Sequence, residues 1–408
     1  MSQRTFKIAI IGAGPAGCML ACLLSESTPP PNTIIDITIF EGSAREYIPL
    51  ERCSVKLHPR SGLAAIKAGG LYDGYFSRLE RSDGSALCVC DKDHKTWFRA
   101  KASMEGDHEI DQSKLRNFLY NTFHRDKVRH EEIDGELMIR NVRTQGELVR
   151  WRSRLVRVVE EEPEEGKSYG LPMLHFGSGE VIGGWDLVVG ADGGWSVTRR
   201  YLDPSQEPRY SGISKYVFNI PASSNNLDWA SPLVKGGSLF AFGEGKSISA
   251  QKLGDGSLNV GAFLRFDSPP LSQSLTKNQI LTQFQSWSPV LMRLIQSGQS
   301  VPQVYHLHQL PEDFRWNHRP GVTLVGDAAH LMTPTVLLFA GESVNLAFED
   351  AWKLSQAILS GIPVGFETIE TVAQSEDVAY LLDYSESEYC YTTITKALLQ
   401  RYDIGDST

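Results

Sequence analysis

The 408-residue sequence predicts an α/β fold: a doubly wound parallel sheet, interrupted by an antiparallel β-sheet insert and followed by a helical C-terminal region. Three observations carry this. The apolar, β-branched run Lys7–Ile11 leads straight into Gly12-Ala-Gly14-Pro15-Ala16-Gly17, then a helix-length apolar segment, then a second apolar run ending at Glu41. From Tyr210 to Phe266 the texture changes to short alternating segments separated by Gly, Asp and Ser, the period-two signature of an antiparallel sheet. An apolar strand then returns at Gly321–Gly326 and runs into Asp327-Ala-Ala-His330.

The elements follow in order. Lys7–Ile11 is a buried parallel strand, Cys18–Ser27 a helix broken by Thr28-Pro-Pro-Pro-Asn32, and Ile34–Phe40 a second strand. Ser61–Ala68 reads as a helix stopped by Gly69-Gly70, and Leu87–Phe98 alternates loosely as strand. Asp111–His124 is an amphipathic helix with Leu115, Phe118, Leu119 and Phe123 on one face. Glu160–Lys167 is an acidic hairpin tip, and Trp185–Gly190 is a strand entering Ala191-Asp192-Gly193-Gly194. Lys277–Gln296 forms one or two helices, Glu342–Leu359 has helical periodicity, and Glu367–Arg401 is mostly helical. The expected division is 1–75, 105–205 and 305–365 in a Rossmann-like dinucleotide-binding domain, 76–104 and 206–304 in the β-sheet substrate domain, and 366–408 in the C-terminal region.

Composition narrows the function classes. Hydrophobic residues at 41% and charged residues at 22% are those of a globular protein with a core, not of a disordered chain. A formal charge of −9 argues against general nucleic-acid binding. Six scattered cysteines, Cys18, Cys22, Cys53, Cys88, Cys90 and Cys390, make neither a disulfide scaffold nor a zinc site. No leader-like start and no membrane-spanning apolar run is visible, so a soluble cytoplasmic protein is expected.

The Gly12–Gly17 turn has a physical reading. Gly12 allows the tight turn, Gly14 lets backbone approach a pyrophosphate, and Gly17 lets helix and strand pack closely. The helix start offers free amides and the positive end of its dipole to phosphates. Glu41, at the end of the second strand, can accept hydrogen bonds from a ribose.

Together with Gly326-Asp327-Ala-Ala-His330 more than three hundred residues later, this start resembles the FAD-dependent aromatic hydroxylases, single-component flavoprotein monooxygenases. Within them it looks closest to the tetracycline-inactivating and fungal secondary-metabolite branch. The resemblance extends over nearly the whole chain: Gly12–Gly17 with Glu41, Leu57–Gly62, Glu109–Arg116, Gly190–Arg199 and Gly326-Asp327. It implies non-covalent FAD held by Gly12, Gly14, Pro15, Ala16, Gly17, Glu41, Arg116, Asp192, Gly326, Asp327, Gly341, Val344 and Asn345. It implies Arg116 on a phosphate, Asp192 in a motif linked to both FAD and the nicotinamide, and Asp327 on the ribityl chain. It also implies NAD(P)H and O2 as co-substrates, a flavin C4a-hydroperoxide, and no second dinucleotide-binding fold. No side-chain nucleophile, metal or other catalytic residue is assigned, and His330 is given a structural role. Trp195 and Trp316 are read as packing residues.

The substrate implied is an aromatic or polyketide-like small molecule, with Phe218, Phe240, Phe242, Gln251, Phe263 and Pro334 as pocket candidates. Relatives carry a shorter turn after Pro334, so Thr335–Leu338 reads as a four-residue insertion beside the flavin. Ser343 stands where they have Gly, Gly42 where an Arg often follows the ribose-binding Glu, and Arg52, Cys53 and Lys56 where they have small or acidic residues. The insertion and Ser343 predict slow flavin reduction or uncoupling, and all these departures are expected to weaken FAD binding or reshape the site. They leave two competing functions: a flavin oxidoreductase without oxygen insertion, and a degenerate FAD-binding homologue with a non-catalytic role.

Overall fold

The computed structural model describes residues 4–44, 54–73, 86–100, 108–123, 127–133, 136–142, 148–162, 170–223, 227–270, 275–311, 314–316, 319–332 and 342–361. Pro334, Thr335–Leu338, Gly341, Arg52, Cys53, Cys390 and the expected 366–408 region lie outside them.

Five parallel strands form the first sheet: β1 (Arg4–Ile11), β2 (Thr33–Phe40), β9 (Val149–Arg150), β13 (Leu187–Gly190) and β19 (Val322–Leu324), in the order β19-β13-β1-β2-β9. Both faces of β1 are buried, as a parallel sheet requires. Ile8 and Ile10 join one apolar cluster, with helices α1 (Pro15–Glu26), α2 (Gly62–Ala68), α3 (Gln112–Phe123) and α9 (Glu342–Gly361). Ala9 and Ile11 join another, with α4 (Val197–Leu202), α8 (Asp327–His330) and the three-stranded sheet β10 (Leu155–Glu160), β11 (Pro172–Phe176) and β12 (Val181–Ile182). β10 and β11 pair antiparallel, and 163–169, with them the greater part of the expected acidic hairpin tip, lie outside the described residues.

The second large sheet has seven strands in the order β18-β14-β17-β16-β15-β4-β5. They are β4 (Leu87–Asp91), β5 (Thr96–Ala100), β14 (Arg209–Ile220), β15 (Ser238–Gly243), β16 (Lys246–Lys252), β17 (Leu258–Arg265) and β18 (Gln303–Gln309). All pairs are antiparallel except β15 with β4, which is parallel, so the sheet is mixed and not purely antiparallel as expected. The reason is that β4 reaches the sheet from a distant part of the chain instead of through a hairpin. Leu87–Phe98 is accordingly two strands, not one.

Register divides this sheet into two faces. Tyr216, Phe218, Ile220, Leu239, Ala241, Ile248, Ala250, Val260 and Ala262 make the back, packed against α5 (Ser231–Val234), α6 (Lys277–Gln283) and α7 (Pro289–Ser297). The front alternates with it: Lys215–Phe263–Ser247–Phe242 is one row of cross-strand partners, and Val217–Gly261–Ser249–Phe240 the next. Among the described residues there are also two short ladders, β3 (Ser54–Leu57) with β6 (His108–Asp111), and β7 (Lys127–Ile133) with β8 (Glu136–Val142).

Candidate active site

The C-terminal ends of β1, β13 and β19 meet at one edge of the parallel sheet. The chain leaves β1 toward β2 on one side, and β13 lies on the other, so the crevice falls where strand order reverses. Gly12 turns there with φ of +107°, and a Cβ on it would lie 2.4 Å from the Ala191 carbonyl oxygen. A Cβ on Gly17 would lie 2.1 Å from the Gly12 oxygen. Gly14 differs: nothing lies within 4 Å of the position its Cβ would take. It precedes Pro15 at the start of α1, where no side chain caps the helix. Two glycines thus serve the fold, and the third leaves open space beside an uncapped, positive helix end.

Glu41 follows β2 and folds back over this turn. Its Oε2 accepts the Ala13 amide at 2.9 Å and its Oε1 the Ser43 amide at 2.8 Å. Arg116, on α3, donates from Nε to the Ala13 carbonyl at 3.2 Å, with Nη2 3.9 Å from Glu41. Cys18 sits beneath, its thiol pushed up to about 12 by burial. It is an inert core group, and Cys22 is buried like it.

At the end of β19, Gly326 adopts φ of +62°, and its Cβ position lies 3.0 Å from the Cβ of Ala16. The Gly-Asp turn therefore abuts the first turn of α1. Asp350 Oδ2, on α9, accepts the Gly326 amide at 2.8 Å and His330 Nε2 at 2.7 Å. Burial disfavours the charge on His330, but the Asp350 carboxylate outweighs it and raises the imidazole above its ordinary range. Burial also pushes the Asp327 carboxyl upward, with His330 opposing and Asp350 reinforcing.

Asp192 has its carboxylate committed. It accepts from the Ser196 hydroxyl and from the Val197 and Thr198 amides at 2.7 and 3.2 Å, so it anchors the start of α4. Burial raises its pKa and those hydrogen bonds oppose the rise. Arg199, 1% exposed, donates to the Gly194 and Ala328 carbonyls and ties the Asp192 turn to α8. Burial lowers its pKa, and Asp192 opposes this.

Val344 is buried in the core, and Asn345 clamps β3 to α9. The Asn345 side chain accepts the His58 amide at 2.8 Å and donates to the Lys56 carbonyl at 2.7 Å. Ser343 is exposed on the first turn of α9. Gly42 packs on Arg154, its Cβ position 3.3 Å from the Arg154 Cβ.

Of the pocket candidates, Phe240, Phe242, Gln251 and Phe263 share the half-buried front face of the seven-stranded sheet. Phe218 must be removed from that set. It lies on the back face, fully buried, with the Gly298 Cβ position 2.5 Å from its own Cβ. Period-two alternation places residues on alternating faces but does not say which face the helices cover. Sequence reasoning also gave no role to Asp350, Glu109 or Ser54, whose partners are distant in the chain.

The donor set fits FAD: open space over Gly14 at an uncapped helix start, a carboxylate at the tip of β2, a cation beside it, and a half-buried acid at the end of β19. Among the described residues no group of side chains could hold a metal ion, and no helix is long and apolar enough to cross a membrane.

No protein-family model matches the chain. Monooxygenase penA of Penicillium thymicola is 28% identical over 425 residues, covering 93% of this chain and 90% of that protein. Monooxygenase asqM of Emericella nidulans is 25% identical over 409 residues, covering 88% and 85%. Among solved structures, Klebsiella pneumoniae HpxO complexed with FAD and uric acid superposes with a TM-score of 0.65 at 17% identity, over 96% of this chain and 93% of that one, which shows a shared fold. Read with the strand-end geometry, these comparisons show a chain similar over most of its length to fungal monooxygenases, with the fold of an FAD-bound enzyme and motifs that resemble those of the FAD-dependent aromatic hydroxylases.

Proposed function

We propose that the chain uses NAD(P)H and O2 to hydroxylate or epoxidise an aromatic or polyketide-like small molecule of secondary metabolism. The observation that carries this is a juxtaposition. The strands β3 and β6 pack into the same apolar core as β1 and α1, and they are bonded to Gln251 on the front face of the seven-stranded sheet and to Gly254 in the turn after β16. A dinucleotide site and a half-buried aromatic surface thus share one junction.

In this reading the parallel sheet with its helices is the Rossmann-like FAD-binding unit, interrupted by the seven-stranded substrate-binding sheet. Gly14 and the amides at the start of α1 receive the pyrophosphate, Arg116 offsets its charge, Glu41 holds the adenosine ribose and Asp327 the ribityl chain. Asp192 and Arg199 act on the cofactor indirectly, by fixing the turn after β13 against α8. Bound FAD supplies the redox and oxygen-transfer chemistry. The protein binds and orients substrate on Phe240, Phe242 and Phe263, and keeps water from it. NAD(P)H is a transient co-substrate.

The test is to purify the protein with its flavin and follow NAD(P)H oxidation with and without aromatic candidates, with product masses under 18O2. Substrate-stimulated oxidation with one labelled oxygen in the product supports the reading. Stimulated oxidation without labelled product favours an oxidoreductase that inserts no oxygen.

A further inference from the structure

Gln251 is held in one orientation by three hydrogen bonds that agree with one another. Its Oε1 accepts the Ser54 amide at 3.0 Å, its Nε2 donates to the Ser54 carbonyl at 3.1 Å, and Nε2 also donates to Glu109 Oε1 at 3.2 Å. A flipped amide would oppose donor to donor and acceptor to acceptor at all three. Glu109 is 4% exposed, on β6, directly opposite Lys56 of β3 in the ladder. Glu109 Oε1 accepts from the amide nitrogen, and with the Ser54 carbonyl it fixes which end of Gln251 is nitrogen.

Both Nε2 hydrogens are thereby used, while Oε1 has accepted one hydrogen bond and retains a second lone pair. Gln251 is half-buried on the front face of the sheet, in the row Asn219–Asn259–Gln251–Ser238. Next to that row lie Phe240 and Ser249, then Phe242 and Phe263. Between them Gly261 has no side chain, and a Cβ there would lie 2.7 Å from Ser249 Oγ and 3.0 Å from the Phe263 ring. The front face therefore sets the rings of Phe240, Phe242 and Phe263 beside a polar row in which Gln251 is held in a fixed orientation, with acceptor capacity left on its Oε1.

Building on the monooxygenase reading above, we propose that Gln251 Oε1 is the polar recognition point for substrate and that Glu109 is its positioning residue. The enzyme then selects planar aromatic molecules bearing an N–H or O–H donor. A substrate donor pairs with the oriented carbonyl, and the ring lies on the aromatic rows. A methylated counterpart leaves the acceptor desolvated and unpaired, an asymmetry that separates near-isosteres more strongly than added apolar contact does.

The experiment uses the FAD-loaded full-length enzyme and two probe pairs, 2-quinolone with N-methyl-2-quinolone, and 1-naphthol with 1-methoxynaphthalene. Dissociation constants are read from the flavin absorbance change. The wild type is expected to prefer the donor-bearing member of each pair by about tenfold. Gln251→Leu should bring that preference close to one, with FAD content unchanged. Glu109→Ala should reduce it, and Glu109→Gln should restore it, because a carboxamide oxygen still accepts from Nε2. A purely structural bridge would lower stability in Glu109→Ala without changing the preference between probes. Wild-type enzyme that binds neither pair, or both members equally, overturns the proposal, and needs no variant to fold. So does a Gln251→Leu enzyme that keeps its preference. Loss of flavin or of substrate-stimulated NAD(P)H oxidation in the wild type would instead contradict the monooxygenase reading.

Discussion

His330 Nε2 lies 2.7 Å from Asp350 Oδ2, and the same carboxylate oxygen accepts the amide of Gly326. One acid from α9 therefore fixes both ends of the Gly326–His330 turn that carries Asp327. The pair gives a signed pH dependence. His330 has its pKa raised in the folded protein, so the stability it contributes is fully present below about pH 6.5, the ordinary histidine value, and is lost as pH rises through the raised value. The stability difference between wild type and His330→Gln, measured by urea unfolding, should shrink between pH 6 and pH 9. Asp350→Ala should destabilise at every pH in that range, by about 3 kcal/mol, because it also strands the Gly326 amide.

Asp327 has the same sign of pH dependence for a different reason. Burial raises its carboxyl pKa, so the ionised form costs stability above that pKa and the cost disappears on protonation. Asp327→Asn should make the flavin-free protein more stable at pH 7, on the order of 1 kcal/mol, while weakening FAD binding. The gain should fade toward pH 4. Thermal melts of the flavin-free protein and an FAD titration check the two halves separately.

Gly14 and Gly17 should separate binding from folding. Gly14→Ala meets open space at a φ of −74°, so the protein should fold with near-normal stability and lose FAD affinity about tenfold or more. Gly17→Ala puts a methyl against the Gly12 carbonyl, and should lower stability and soluble yield first. Circular dichroism melts beside FAD titrations distinguish the two.

Arg199 is a buried tie between two turns. Arg199→Ala leaves the Gly194 and Ala328 carbonyls without their guanidinium partner and opens a cavity. Unfolding free energy should fall by about 3 kcal/mol. Arg199→Lys should recover little, since one ammonium cannot reproduce the fork that spans both carbonyls.

How much of this was legible in the sequence depends on the range of the interactions. β1, α1 and β2 were readable because their signals are local: a β-branched run, three glycines and a carboxylate at a strand end. The Gly326-Asp327 turn was readable for the same reason. What escaped depends on partners far apart in sequence. Glu109 meets Gln251 across 142 residues. Asn345 reaches the His58 amide across 287. Phe218 and Phe240 carry the same alternating pattern, and only the placement of α6 and α7 shows that they face opposite ways. The parallel β15–β4 pair is likewise invisible locally, since nothing in Leu87–Asp91 indicates its neighbour.

The central claim is that the ends of β1, β2 and β19 hold FAD without a covalent bond. Fluorescence titration of the flavin-free protein with FAD, followed by acid precipitation, tests it most directly. Saturation near one FAD per chain is expected, with all of it released into the supernatant and a marked loss of binding in Asp327→Ala. Flavin retained in the precipitate, no saturable binding, or wild-type affinity in Asp327→Ala would contradict it.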